Sequence, residues 1–306
     1  MFTLSTYFIG SYEIISVRNQ HGEGIDFIPK KGGAIHQLYM GKHCIPILDQ
    51  FTEGNDIDTN PWHKQALLFP FPNRLKDGTY VHDGVTYHFP INEKDRNNAL
   101  HGFLFNEPFE VSKINKKESE VEIILTYTYQ GQYAYYPFPC KLTVNYLVTE
   151  NTFYLSFQIE NIGKTTLPYG FGWHSYFLFK HLVKVGMPTT NKQIVDARLL
   201  PTGEEVLYND LLEYKTLEEN LDTCFRFIDK KSRSITVGSE NEHQLKIQSD
   251  ESMDYIQIFN PEPNRIAVEP ITCNINALIN KEGLNILKPN ETNIHHCSIT
   301  LEKLKL

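Results

Sequence analysis

Long apolar runs are missing from this 306-residue sequence, and no stretch approaches the length that spans a bilayer. Positive charge is in deficit. Lys and Arg number 29 against 37 Asp and Glu, a formal charge of −8, so no global field would draw in nucleic acid or an anionic membrane. Cysteine is sparse and unpatterned: Cys44, Cys140, Cys224, Cys273 and Cys297 are odd in number, widely spaced and form no CxxC, which reads as free thiols in a reducing compartment. The first twenty residues lack a basic start, a long apolar stretch and a small-residue cleavage site, so a cytoplasmic chain without a signal peptide is expected and the sequon Asn290-Glu291-Thr292 carries no weight. Helical periodicity is scarce as well: FTEGNDIDTN and NDLLEYKTLEENL promise a turn or two each, and Gly and Pro interrupt the longer candidates.

What is present in quantity is alternation. In CKLTVNYLV, Cys140, Leu142, Val144, Tyr146 and Val148 share one face while Lys141, Thr143 and Asn145 take the other, the period of a half-buried strand. After the turn-like TEN, FYLSFQIEN repeats the pattern with Phe153, Leu155, Phe157 and Ile159, which predicts a hairpin. VEIILTYTY, SITVGS, HQLKIQS, YIQIF and the final HHCSITLEKLKL follow the same rule. Turn residues and aromatics are spread evenly, with no linker or repeat. The expectation is one all-β domain over residues 1–306, a large antiparallel β-sandwich whose loops carry the chemistry. The basic cluster KINKKE at 113–118 is short and mixed in sign, and reads as a solvated turn.

Five places combine ionisable side chains with turn-forming or aromatic neighbours. In FPFPNRLKDG the prolines fix an extended entry to Asn73-Arg74; Arg74 offers a planar charged fork, although a surface ion pair is the plainer reading of that segment alone. In NNALHGFLF a glycine beside His101 permits close backbone approach or a tight turn. PYGFGWHSYF sets His174 among aromatic rings, as a satisfied core histidine, a metal ligand or an acid on a cleft floor. In NLDTCFRF, Asp222 is a cap or an acceptor for a bound polar group. In IAVEPITCNINAL the strand is expected to end at Val268, with Glu269 on its rim and Pro270 turning the chain out of the sheet.

Other chemistries lack their motifs. No HExxH or CxxC gives metal-ligand spacing, and adjacent His295 and His296 on a strand point to opposite faces. No GxSxG or nucleophilic cysteine context occurs, and YGFGWHS lacks the third small residue of a dinucleotide loop.

Taken in order, Asn73-Arg74 in FPNRL, His101-Gly102 in ALHGF, His174 in GWHSYF, Asp222 in LDTCF and Glu269 in VEPIT resemble the aldose 1-epimerases, or galactose mutarotases, across nearly the whole chain. The resemblance implies an antiparallel β-supersandwich and a cofactor-independent isomerase that interconverts the α and β anomers of a free aldose. It implies Glu269 as the base at the C1 hydroxyl and His174 as the acid at the ring oxygen, flanking one sugar ring. Asn73, Arg74, His101, Asp222 and Gln257 are the implied sugar ligands, with Trp173, Tyr176 or Phe177 offering an apolar face unless they pack in the core. No metal or organic cofactor is implied, and the partner is a small-molecule sugar, without nucleic acid or membrane. Leu178-Phe179 after HSYF, and Asn276 where an acidic residue is frequent, depart from the family pattern and leave the sugar open. A hexose-6-phosphate mutarotase and a non-catalytic carbohydrate-binding or sensing domain are the alternatives.

Overall fold

The computed structural model describes residues 1–218 and 220–303. The predicted hairpin forms as read: Cys140–Thr149 pairs antiparallel with Thr152–Asn161, and the residues of the apolar faces are buried. Glu120–Tyr129 flanks it on one side and Thr292–Lys303 on the other, within a nine-stranded sheet. The last three residues of the HHCSITLEKLKL prediction lie outside the described residues. KINKKE is not simply a turn: its first four residues belong to the edge strand Glu110–Lys116, where exposed Lys113 and Lys116 discourage pairing with another chain.

An eight-stranded sheet faces it. This second sheet contains Thr190–Val195, Asp222–Phe227, Tyr255–Glu262 and Arg265–Ile271, with short segments Leu67–Leu68, Gly172–Trp173 and Ser175–Leu178 along one side. Every pairing between named strands is antiparallel. The two inner faces meet through rings: Phe153 lies 5.5 Å from Trp173, and Phe157 stacks on Phe171 at 3.8 Å. A five-stranded sheet from Thr3–Ile9 to Ile45–Pro46 joins the same apolar core, where the Tyr146 hydroxyl donates to the Gly33 carbonyl at 2.7 Å. All five cysteines are free thiols. No helix among the described residues is long and apolar enough to cross a membrane.

Two expectations need correction. FTEGNDIDTN does contain the helix Gly54–Thr59, but NDLLEYKTLEENL forms no helix among its described residues and contributes only the short strand Lys215–Thr216. Its buried Leu211 and Leu217 are tied by backbone hydrogen bonds to Met187 and Val183, and this tertiary pairing takes the place of a helix. The strand expected to stop at Val268 runs on through Glu269 and Pro270 to Ile271. Pro270 faces Ile256 on one side; on the other it interrupts the ladder instead of ending the strand, because it has no N–H to donate.

Candidate active site

The register on either side of that interruption sets the centre of the site. Gly172 pairs with Ile271 and Ser175 with Val268, so counting inward sets His174 opposite Glu269. Glu269 is in turn paired with Gln257 on the next strand. Directly opposed residues project to one face, so the three side chains form a row across three strands, and a slip of one residue would turn any of them away. The His174 backbone pairs outward, away from Glu269: its N–H donates to Ala66 and its carbonyl accepts from Gln65, both at 2.9 Å. His174 Nε2 lies 3.3 Å from Glu269 Oε1, in direct contact, where the sequence suggested a pair flanking a ring.

The other residues singled out in the sequence converge on this row. Asn73 adopts a left-handed backbone (φ 61°), which asparagine tolerates, and donates its N–H to His101 Nδ1 at 3.0 Å and its side-chain amide to Gln257 Oε1 at 3.0 Å. His101 N–H returns to the Asn73 carbonyl at 2.9 Å. An accepting Nδ1 leaves the proton of the neutral imidazole on Nε2. Arg74 is no surface ion pair: 8% exposed, it donates from Nε to both oxygens of Glu93 at 3.1 Å and from a terminal nitrogen to Asp222 at 3.3 Å. Asp222 accepts from Gln257 Nε2 at 2.7 Å, which closes the network. Asn276, the departure from the family pattern, has a structural task. It donates its N–H to the Arg74 carbonyl and accepts from the Lys76 N–H, fixing the strand that carries Arg74.

Together these groups line a cavity of about 190 Å³. Its apolar wall is not the one expected: Trp173, Tyr176 and Phe177 are all fully buried and none lines the cavity. Trp173 and Phe177 point into the core, while Tyr176, on the same strand face as His174, is covered by its neighbours. Trp62, Leu100 and Phe259 supply the wall. Tyr176 acts from behind, stacked at 5.2 Å and 11° on His174 and carrying Trp62 on its far side at 6.1 Å. Sequence reasoning missed Trp62, His63 and Glu93; the run Pro61-Trp62-His63-Lys64, an imidazole beside an indole just after a predicted helical turn, was the available signal. A larger cavity of about 580 Å³ shares Pro61 and Trp62 with the first. Its charges answer one another, Lys64 with Asp49 and Asp56 and Arg265 with Asp49 and Glu262, and the acid-base groups lie in the smaller one. Among the described residues no three His, Cys, Asp or Glu side chains are placed to hold a metal ion.

Residues 13–300 match the family model for aldose 1-epimerase. The chain belongs to the aldose 1-epimerase family. Among its relatives is the uncharacterised protein YihR of Escherichia coli K12, 27% identical over 239 residues, 74% of each chain. Solved structures share the fold: a galactose mutarotase-like protein from Clostridium acetobutylicum superposes with a TM-score of 0.87 at 22% identity, and a galactose 1-epimerase from Lactobacillus acidophilus with 0.82 at 14%, each over 99% of both chains. The all-β antiparallel architecture of this aldose 1-epimerase family member is therefore the galactose mutarotase-like fold.

Burial dominates the electrostatics of the site. It pushes the Glu269 carboxyl well above its ordinary value, an effect that nearby Asp222 reinforces and Arg74 opposes. It pushes His174 well below 6.5, with His63 adding to the shift, and likewise His101, beside which His63, His174 and Arg74 add to the shift. One oxygen of Glu269 and Nδ1 of His174 are buried without a protein partner, so the pair keeps unused hydrogen-bonding capacity.

Proposed function

We propose that this family member is an aldose 1-epimerase in the strict sense, a cofactor-independent isomerase that interconverts the α and β anomers of a free hexose. One observation carries the reading: a buried carboxyl and a buried imidazole in contact at 3.3 Å on the floor of a small polar cavity. Ring opening removes the proton of the C1 hydroxyl, protonates the ring oxygen and breaks the bond between C1 and that oxygen. Both oxygens are attached to C1, so acid and base must be neighbours, as these two are. Glu269 takes the hydroxyl proton while His174 gives one to the ring oxygen. The aldehyde rotates about C1–C2, and the transfers reverse on closure to the other face.

A pair holding a single proton suffices for both directions. Burial favours the neutral form, with the proton on Glu269, which is the state that closes an open-chain aldehyde. Arg74, His101, Asp222 and Gln257 hold the sugar hydroxyls, and Asn73 holds His101 and Gln257 in place. The charge of the lining favours a free sugar over its 6-phosphate. Among the described lining residues the one permanent cation is Arg74, already shared between Glu93 and Asp222, while the Asp222 carboxylate would repel an anion.

Anomer equilibration of fresh α-glucose and α-galactose, followed by NMR exchange or polarimetry, tests the reading. His174→Gln and Glu269→Gln are each expected to lower turnover by roughly 10²–10⁴-fold. Full activity in either variant removes that residue from the chemistry. Sugar binding without any acceleration over buffer, for free and phosphorylated aldoses alike, would leave a carbohydrate-binding protein in place of an enzyme.

A further inference from the structure

Beyond the residues that the sequence brought forward, a third imidazole enters the cavity. His63 lies in the loop between the helix Gly54–Thr59 and the strand Leu67–Leu68, and its ring sits 4.6 Å from His101, 6.2 Å from His174 and edge-on to Phe105 at 4.9 Å. The loop is built to hold it there. Three of its non-glycine residues, Asn60, His63 and Gln65, have left-handed φ of 32°, 52° and 60°, a conformation costing L-residues roughly 1–2 kcal/mol each. Specific bonds impose it. Asn60 accepts the Lys64 N–H at 2.7 Å and donates to the Lys64 carbonyl at 3.0 Å, and the His63 N–H donates to the Asn60 carbonyl at 2.9 Å. The end of the loop is registered to the candidate acid, since Gln65 N–H and the Ala66 carbonyl both pair with the His174 backbone.

Among the described residues nothing hydrogen-bonds the ring of His63, although it lines the cavity. Partial burial, with the positive charge of Lys31 adding to it, drops its pKa to about 4, so near neutral pH it offers one N–H and one acceptor nitrogen. A hydroxyl group is both acceptor and donor, and fits such a ring from either side. If packing against Phe105 were its whole purpose, a phenyl ring would serve without bringing two hydrogen-bonding nitrogens to the cavity lining.

We propose that His63 is a specificity-determining residue that hydrogen-bonds one hydroxyl of the bound aldose, at a carbon other than C1. The inference rests on the sugar-isomerase reading of this cavity and adds a contact that neither the acid-base pair nor the Arg74 network supplies. Strain held in a loop whose end is paired to His174 is the physical mark of a side chain positioned for a ligand.

The test is a double-mutant cycle between protein and sugar. Wild type and His63→Phe are compared on the aldose that wild type equilibrates fastest and on its 2-, 3-, 4- and 6-deoxy forms, with kcat and KM measured separately. On the parent sugar His63→Phe should lower kcat/KM about 3–10-fold, the worth of one neutral hydrogen bond. That loss should vanish for one deoxy sugar and persist for the others. An equal loss on every sugar, or none on any, overturns the proposal, the first pattern marking a purely structural residue. His63→Gly, which accepts a positive φ, replaces the phenylalanine variant if the latter does not fold. If wild type equilibrates no aldose, the isomerase reading fails by itself. The same cycle read as Kd by calorimetry then decides whether His63 touches sugar.

Discussion

At Glu269 and His174 burial acts in opposite directions, raising the carboxyl and lowering the imidazole, and this sets how the site responds to pH. The pair holds one proton over a window bounded on the acid side below the ordinary imidazole value of 6.5 and on the alkaline side well above the ordinary carboxyl value of 4.5. Activity needs that single proton, so kcat/KM for anomer exchange should hold within that window and fall when a second proton is added or the first is lost. An acid limb centred at 6.5 or higher, absent in His174→Gln, would show that the imidazole is not desolvated in the working enzyme. The residues of this site were legible in sequence as an ordered set. Their contacts were not: the burial of Arg74 depends on Glu93 and Asp222, which lie 19 and 148 positions away along the chain.

Among elements, the turn at His101-Gly102 shows how backbone fixes side chain. Gly102 has a φ of 69°, and a Cβ placed on it would meet the Phe69 carbonyl oxygen at 2.2 Å. Gly102→Ala must therefore push the turn off Phe69, and with it the reciprocal bonds between His101 and Asn73. A loss of about 1–3 kcal/mol is expected from a strained left-handed alanine with such a contact, with a raised KM for sugar. Chemical denaturation and steady-state exchange measure the two effects, and a variant of wild-type stability and KM would show slack in the turn. Strands such as Cys140–Thr149 could be read from alternation because one face is wet and the other dry. Arg265–Ile271 is buried along nearly its whole length, so no alternation marks its end and its proline misled the reading. NDLLEYKTLEENL was misread for the reverse reason: its composition suits a helix, but tertiary anchoring of Leu211 and Leu217 overrides propensity.

For the molecule as a whole, folding leaves several imidazoles neutral in dry surroundings. His36, His63 and His295 fall to about 4, chiefly through burial, and His101 and His174 are also depressed. The unfolded chain protonates them at the ordinary 6.5. Their contribution to stability is thus complete above that pH and is lost as pH falls toward 4, at roughly 1.4 kcal/mol per pH unit for each imidazole. The urea midpoint should drop steadily between pH 6.5 and 5, less steeply in His36→Phe, and a level midpoint over that range would refute the assignment. The sequence by itself determined the fold class, because a period of two in hydrophobicity follows from the pleat and needs no knowledge of partners. It also determined which residue types the site could contain. Only the tertiary structure decided that Pro270 opens a gap in a ladder, that the register kept across this gap sets His174 against Glu269, and that the loop carrying Trp62 and His63 closes the cavity. Register, loop packing and desolvation are relations between distant segments, and no local pattern encodes them.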